Sequence, residues 1–291
     1  GSRIRVDESI MRRMVKEQLL KFDGTRLFPP RKADTVKYCL SPSEYELYMA
    51  VTTYVVEEMN RAERLTSKAR NCVGFALTML QRRLASSPEA IYQSLARRHE
   101  RLLSRIDEIK AGRGTTAALP DLGDDFDEDD YTPEELERIA NQVLDAQTAA
   151  KTLPELQKEV EVLSGLVARA KSIRDSGHDA KWDRLSELLQ SPEMRDKDGH
   201  RRKLIIFTEH KDTLNYLEKR IQGVLGDPHG VTTIHGGTNR EHRREVQEEF
   251  NNNPAVQVLI ATDAAGEGVN LHRSCSLMVN YDMPWNPCRL E

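Results

Sequence analysis

From Lys203 onward the sequence alternates short apolar runs with amphipathic helical segments, and that alternation leaves few folds open. "KLIIFT" (Lys203–Thr208) is a short run rich in branched apolar residues, as in a strand buried on both faces. The segment that follows, "KDTLNYLEKRIQGVL", spaces Leu214, Leu217, Ile221 and Val224 along one helical face. "GVTTIHGG" reads as a second strand closed by a Gly pair. "NREHRREVQEEFNNN" reads as a charged helix with Val246 and Phe250 on its inner side, and "VQVLIAT" and "SLMVNYDMP" as two further strands. Strands alternating with helices imply an α/β fold with a parallel sheet covered on both faces. Such sheets bind ligands beyond the carboxyl ends of their strands. The polar clusters fall there: Thr208-Glu209-His210, His235-Gly236-Gly237, Thr262 to Asn270, and Asp282 onward.

The first two thirds of the chain read as helical. "SPSEYELYMAVTTYVVEEMNRAERL" opens with Ser41 as N-cap, Pro42 in the first turn and Glu44 completing a capping box. A second helix, "VGFALTMLQRRLASSPEA", stops near Ser86-Ser87-Pro88, and a long charged one runs from Glu89 toward Gly112. "LPDLGDDFDEDDYTP" is acidic and rich in helix breakers, the composition of a loop or linker. Helix returns from Pro133, with a bend expected near Pro154, and "HDAKWDRLSELLQ" is one more helix leading into the sheet. Helices flanking the acidic loop are expected to pair as an antiparallel hairpin. Arg82-Arg83 and Arg97-Arg98 read as the solvated faces of their helices.

The 291 residues suffice for one large domain or two smaller ones, and a net charge of -4 gives no global pull toward nucleic acid. Cys39, Cys72, Cys275 and Cys288 lie far apart without a CxxC pair, so neither zinc nor a disulfide framework is indicated. A reducing, cytoplasmic setting is the simpler reading, and no apolar run is long enough to span a bilayer.

The stretch "IATDAAGEGVNL" (Ile260–Leu271) carries the most unusual composition. A strand ending in Thr-Asp and a Gly-containing turn presents backbone N–H groups near a sheet edge, and small residues let a phosphate or ribose come close. Thr262 offers a hydroxyl, whereas Asp263 and Glu267 suit arginines, ribose hydroxyls or a neighbouring lobe. A plain strand-to-helix turn is the alternative.

Taken in order, "LIIFTEHKDTLNYL", "TTIHGGTNREHRREVQEEFN", "VLIATDAAGEGVNL" and "VNYDMPWNPCRLE" resemble the second RecA-like lobe of superfamily 2 helicases and translocases. The resemblance is greatest to the Swi/Snf family in its prokaryotic, RapA-like branch, and covers Lys181–Glu291. "MRRMVKEQLLKFDGTRLFPPRKADTVKYCLSPSEYELY" is similar to the segment that leaves the first lobe in that branch. The implied organisation is a connector over 1–40, a helical region over 41–118, an acidic loop over 119–133, a helical hairpin continuation over 134–178 and the lobe over 179–291. The fold class is a RecA-like parallel sheet lobe preceded by a mostly α-helical region, with Ser41 to about Arg174 as a helical insertion.

The resemblance assigns roles position by position. Thr208 matches a residue facing the nucleic-acid backbone, or else caps the helix beginning near Asp212. His235, Gly236 and Gly237 match a loop that contacts a phosphate through main-chain groups, or else form a tight turn. Arg243 matches the arginine of the next helix, or else is an ion-paired helix residue. Thr262 matches a phosphate-contacting threonine. Gly266, Glu267, Gly268 and Asn270 match the turn at the nucleotide-facing cleft. Trp285 and Asn286 stand at the entry to an arginine-finger motif, or pack. His210, His229 and His272 read as structural.

No GxxxxGK[ST] phosphate loop occurs, and "DDFDEDD" lacks the preceding apolar strand of a metal-binding motif. No catalytic residue and no metal ligand is expected within the chain. An arginine finger contributes about 10³–10⁵ in phosphoryl-transfer rate, and with both it and the cradle outside this sequence the chain alone is expected not to turn over ATP. For the parent the resemblance implies a DNA-stimulated translocase whose two lobes share Mg-ATP. The implied DNA partner is duplex, gripped through backbone phosphates and therefore salt-sensitive. A protein partner on the helical insertion is an open possibility, no membrane is expected, and a monomer is. Two other readings stay open: an RNA helicase lobe, and a module recruiting RNA polymerase or a defence-system subunit.

Overall fold

In a computed structural model, residues 19–27, 32–112, 131, 133–146, 148–262, 271 and 274–283 are described. The chain divides into two units, 1–37 and 38–291. In the first, the Oδ1 of Asp23 accepts from the backbone N–H (2.9 Å) and the hydroxyl (2.6 Å) of Thr25, closing a turn between the bridged residues Leu20 and Arg26.

The second unit begins with five helices: α1 (Pro42–Ala62), α2 (Ser67–Ser86), α3 (Pro88–Lys110), α4 (Pro133–Ala146) and α5 (Leu153–Ser176). The expected capping box of α1 forms, with the Ser41 hydroxyl accepting from Glu44 N and the Glu44 carboxylate from Ser41 N at 2.7 Å. Pro154 does not bend a continuous helix. The chain breaks after Ala146 and restarts at Leu153, with Thr152 and Glu155 forming a second capping box and Pro154 in the first turn, where its missing N–H costs nothing. α5 ends at Gly177, whose φ of 74° is readily adopted only without a side chain. α3 packs against both α4 and α5, and α1 and α2 complete one apolar core that includes Val51, Leu80, Leu95, Leu102 and Leu163.

That core encloses a polar centre. Arg98, 1% exposed, donates to Glu159 Oε1 (2.8 Å), Tyr54 Oη (2.9 Å) and the Leu144 carbonyl (2.5 Å), while Tyr54 and Thr148 also donate to Glu159. Arg83, also 1% exposed, donates to Ser94 Oγ and Asn141 Oδ1, each at 2.7 Å. Arg82 is 9% exposed and pairs with Glu209. The expectation of solvated arginine pairs is therefore overturned for Arg82, Arg83 and Arg98. A guanidinium is admitted to the interior when acceptors meet most of its donors; here they come from residues distant in sequence, although the Nε of Arg82 and of Arg83 makes no hydrogen bond.

After α6 (Ala180–Gln190), capped by Asp179, come β1 (Leu204–Thr208), α7 (Lys211–Leu225), β2 (Val231–Ile234), α8 (Arg240–Asn252), β3 (Val258–Thr262) and β4 (Leu277–Asn280). The strands form a parallel sheet in the order β2-β3-β1-β4. Alternation sorts the side chains between faces. Leu204, Ile206, Val258 and Ile260 pack with Leu214, Leu217 and Ile221 of α7 and Trp182 and Leu185 of α6. Ile205, Phe207, Leu259 and Ala261 pack with Val246 and Phe250 of α8. The α/β parallel lobe with helices on both faces, preceded by a mostly helical region, is thus the architecture anticipated from the strand-helix alternation.

Candidate functional site: the carboxyl edge of the sheet

Parallel strands bring Thr208, Ile234, Thr262 and Asn280 to one edge. Its two halves meet different surroundings. At the β1–β4 half, the α2–α3 turn of the helical region closes over the strand ends. Asp282 is the hub. Its Oδ2 accepts from Thr208 Oγ1 (2.5 Å), Ser86 Oγ (2.8 Å) and Glu209 N (3.0 Å), and its Oδ1 from Lys181 Nζ (2.7 Å). Lys181 also donates to the Ala85 and Ser86 carbonyls. Ser86 has one hydroxyl proton, given to Asp282, so Thr213 donates to Ser86 (2.6 Å) and Ser87 to Thr213 (2.8 Å). The Ser87 oxygen still accepts from Ala90 N and caps α3.

Burial alone would raise the Asp282 carboxyl; the Lys181 ammonium and the donors around it outweigh that and hold it below its ordinary value. Beside it, His210 is 4% exposed and its Nε2 makes no hydrogen bond. Burial, reinforced by Arg83, pushes its imidazole down to about 3, so it is neutral at pH 7. Around this core Arg82 pairs with Glu209, and Asp212 lies 3.8 Å from Arg83 and 3.4 Å from Arg97.

Thr208 is 0% exposed, and its hydroxyl neither faces an open surface nor caps α7 but is spent on Asp282. α7 begins at Lys211, and its first N–H is taken by Glu137 Oε1 of α4 at 3.2 Å. Thr262, beside Thr208 in register, is 3% exposed.

The β2 end is different. His235 N donates to Thr238 Oγ1 (3.1 Å), Thr238 N to the His235 carbonyl (2.9 Å), and Asn239 caps α8 by accepting from His242 N (2.7 Å). The turn is thereby fixed while the N–H groups of Gly236 and Gly237 donate to no described residue. A Cβ on Gly237 would come within 3.2 Å and 3.3 Å of the His235 ring, tighter than an ordinary contact. The turn opens on a groove of about 560 Å³ whose other wall is helical, with Arg97 of α3 and Glu135, Glu137, Arg138 and Asn141 of α4. Arg243, in the first turn of α8, is half-buried, its Nε has no hydrogen-bond partner, and it has no ion-pair partner among the described residues. Free main-chain donors in a concave turn, with cations nearby, are chemistry suited to an anion.

Gly266, Glu267, Gly268 and Asn270 lie outside the described residues, as do His272, Trp285 and Asn286. Asp196, Asp198 and His200 are close enough to share an ion, but all are exposed, and the Asp196 carboxylate accepts the N–H groups of Asp198 and His200 as a simple turn does. No helix among the described residues is long and apolar enough to cross a membrane. Sequence patterns marked Ser86-Ser87 as a helix stop and Asp282 as a polar strand end, but not that they meet each other and Thr213, because these partners lie 126 to 196 residues apart.

Comparison with known proteins bears on the same segment. Residues 180–291 match the family model described as "Helicase conserved C-terminal domain". An uncharacterized ATP-dependent helicase of Bacillus subtilis, YqhH, is 43% identical over 91 residues, 31% of this chain and 15% of that protein. The pre-mRNA-splicing ATP-dependent RNA helicase prp28 of Schizosaccharomyces pombe is 32% identical over 103 residues, 35% of this chain and 14% of that one. Helicase SWR1 of Kluyveromyces lactis is 33% identical over 110 residues, 37% of this chain and 6% of that one. The chain thus spans a small part of the curated relatives it matches. Among solved structures, the C-terminal part of the Fun30 ATPase domain aligns at a TM-score of 0.44 and 17% identity, covering 90% of this chain and 78% of that one. Residues 180–291 are thus similar in sequence to the C-terminal domain of helicases.

Proposed function

We propose that this chain is the C-terminal motor lobe, with its helical insertion, of an ATP-dependent, DNA-stimulated translocase of the Swi/Snf family in its prokaryotic, RapA-like branch. The observation that carries the reading is the Gly236-Gly237 turn at the β2 end, with its two uncommitted N–H donors, inside the segment that matches the helicase C-terminal model. Those donors suit a backbone phosphate, which fixes position without reading sequence. His235, Gly236, Gly237 and Arg243 are the proposed backbone contacts. Thr208 and Thr262, buried at the strand ends, act by holding the edge in shape. The nucleotide contacts are assigned to Gly266, Glu267, Gly268 and Asn270, with Mg-ATP shared with a first lobe. ATP closes the lobes, and release reopens them, moving the grip along one strand.

ATP hydrolysis by a polypeptide with both lobes, measured with duplex DNA, with RNA and with neither, tests this. DNA stimulation lost in a Thr262→Ala, Gly266→Ala double variant is expected. Stimulation by RNA alone would favour the second reading, an RNA helicase lobe, which has the matching segment of prp28 behind it. This chain by itself is expected to release no phosphate above that variant's background, because no phosphate-cradling loop is in its sequence. A stable complex of the helical region with RNA polymerase or a defence-system subunit, without DNA-stimulated hydrolysis, would favour the partner-recruiting module instead.

A further inference from the structure

The groove at the β2 end has two walls of different origin, and only one belongs to the lobe. Lys211 and the Gly236-Gly237 turn stand on the lobe side, and Arg138 and Glu137 on α4 of the helical region. Its charges are balanced in an informative way. Arg97 is engaged with Asp212 at 3.4 Å, and Glu137 gives its carboxylate to the Lys211 N–H, the first amide of α7. Glu135 also lines the groove and is itself engaged. The Arg138 guanidinium and the Lys211 ammonium are exposed and have no ion-pair or hydrogen-bond partner among the described residues. The groove therefore holds two uncommitted cations and two uncommitted glycine amides, while a carboxylate sits on the adjacent helix amide, a position where an anion is favoured.

We propose that this groove seats a nucleic-acid backbone phosphate between Arg138 of the helical region and the Gly236-Gly237 turn of the lobe, and that the Glu137 carboxylate holds the anion position until the phosphate displaces it. The proposal rests on the reading that the turn meets a nucleic-acid backbone, and adds that the helical region is part of the track. It also makes the α4–α7 contact a brake on binding. A phosphate arriving at Lys211 competes with Glu137, so affinity is lower than the donors alone would give.

The test is equilibrium binding of the 291-residue chain to a fluorescent duplex DNA and to a single-stranded RNA of equal length, over a salt series. Arg138→Glu, Glu137→Gln and Gly237→Asp are compared, each checked for an unchanged melting temperature. Arg138→Glu is expected to weaken binding roughly tenfold at low salt and to lower the salt slope by about one, the signature of one lost phosphate contact. Glu137→Gln is expected to tighten binding several-fold. The better-bound polymer identifies the source of the phosphate. Weakening by Gly237→Asp with no effect of Arg138→Glu or Glu137→Gln would overturn the inference and leave the turn as a contact. Binding indifferent to all three, or absent from the unaltered chain, would overturn both.

Discussion

The α2–α3 turn closes over the buried end of β1 and the Asp282 that follows β4, whereas the end of β2 opens on a groove where the glycine amides donate to no described residue. Both halves present the residue types expected at the ligand edge of a parallel sheet. What separates them is the helical region, which places Ser86, Ser87 and Arg82 against one half and leaves the other facing a groove walled by Arg97 of α3 and by α4. A polar residue at a strand end is thus no indicator of a binding role until its partners are known. Thr208 has the chemistry of a phosphate ligand and spends it on Asp282.

The largest expected effect lies in the closed half. Asp282→Ala leaves the half-buried Lys181 without its carboxylate and removes the acceptor of Thr208, Ser86 and Glu209 N. Breaking a buried pair in this way costs about 3–5 kcal/mol, read as a fall in denaturation midpoint. A loss no greater than that of an exposed aspartate would mean the junction is not closed. Two opposing pH dependences come next. His210, held down at about 3, is neutral in the fold but takes up a proton in the unfolded chain below its ordinary 6.5, so its contribution is present above pH 6.5 and lost as pH falls toward 3. Glu58 in the helical core is raised to about 7 by burial and by Glu159, against Arg61. The fold keeps its proton where the unfolded chain loses it, so its contribution is full below 4.5 and lost as pH rises through 7. His210→Gln should therefore flatten the acid-side loss, and Glu58→Gln the loss from 4.5 to 7, in urea titrations across pH. The smallest effect belongs to the open half. Gly237→Ala, whose Cβ would stand 3.2 Å from the His235 ring, is expected to change stability by about 0.5 kcal/mol, while weakening nucleic-acid binding in the fluorescent-duplex salt series.

The strands and the helices that cover them were legible because apolar alternation and capping boxes act over a few residues. "LIIFT" and "VLIAT" could only be buried strands, and Ser41 with Glu44 only a helix start. Thr152 and Glu155 carry the same signal, but Pro154 inside an otherwise helical pattern is equally compatible with a bend and with a first-turn proline. The buried arginines were not legible. Arg83 and Arg98 become interior residues only through Asn141, Ser94, Tyr54 and Glu159, and no local pattern encodes those distances. The same holds for Asp282, readable as polar and at a strand end but not as a hub. The glycine turn was legible as a turn; its free amides emerge only once Thr238 and Asn239 have taken the other bonds.

The most direct test of this division is amide hydrogen exchange of the chain with and without duplex DNA, compared between the end of β1 and the β2–α8 turn. The account predicts that Gly236 and Gly237, whose N–H groups donate to no described residue and exchange fast in the free protein, slow on binding while Thr208, Glu209 and His210 keep their rates. Slowing at Thr208–His210 with the glycine turn unchanged would contradict it.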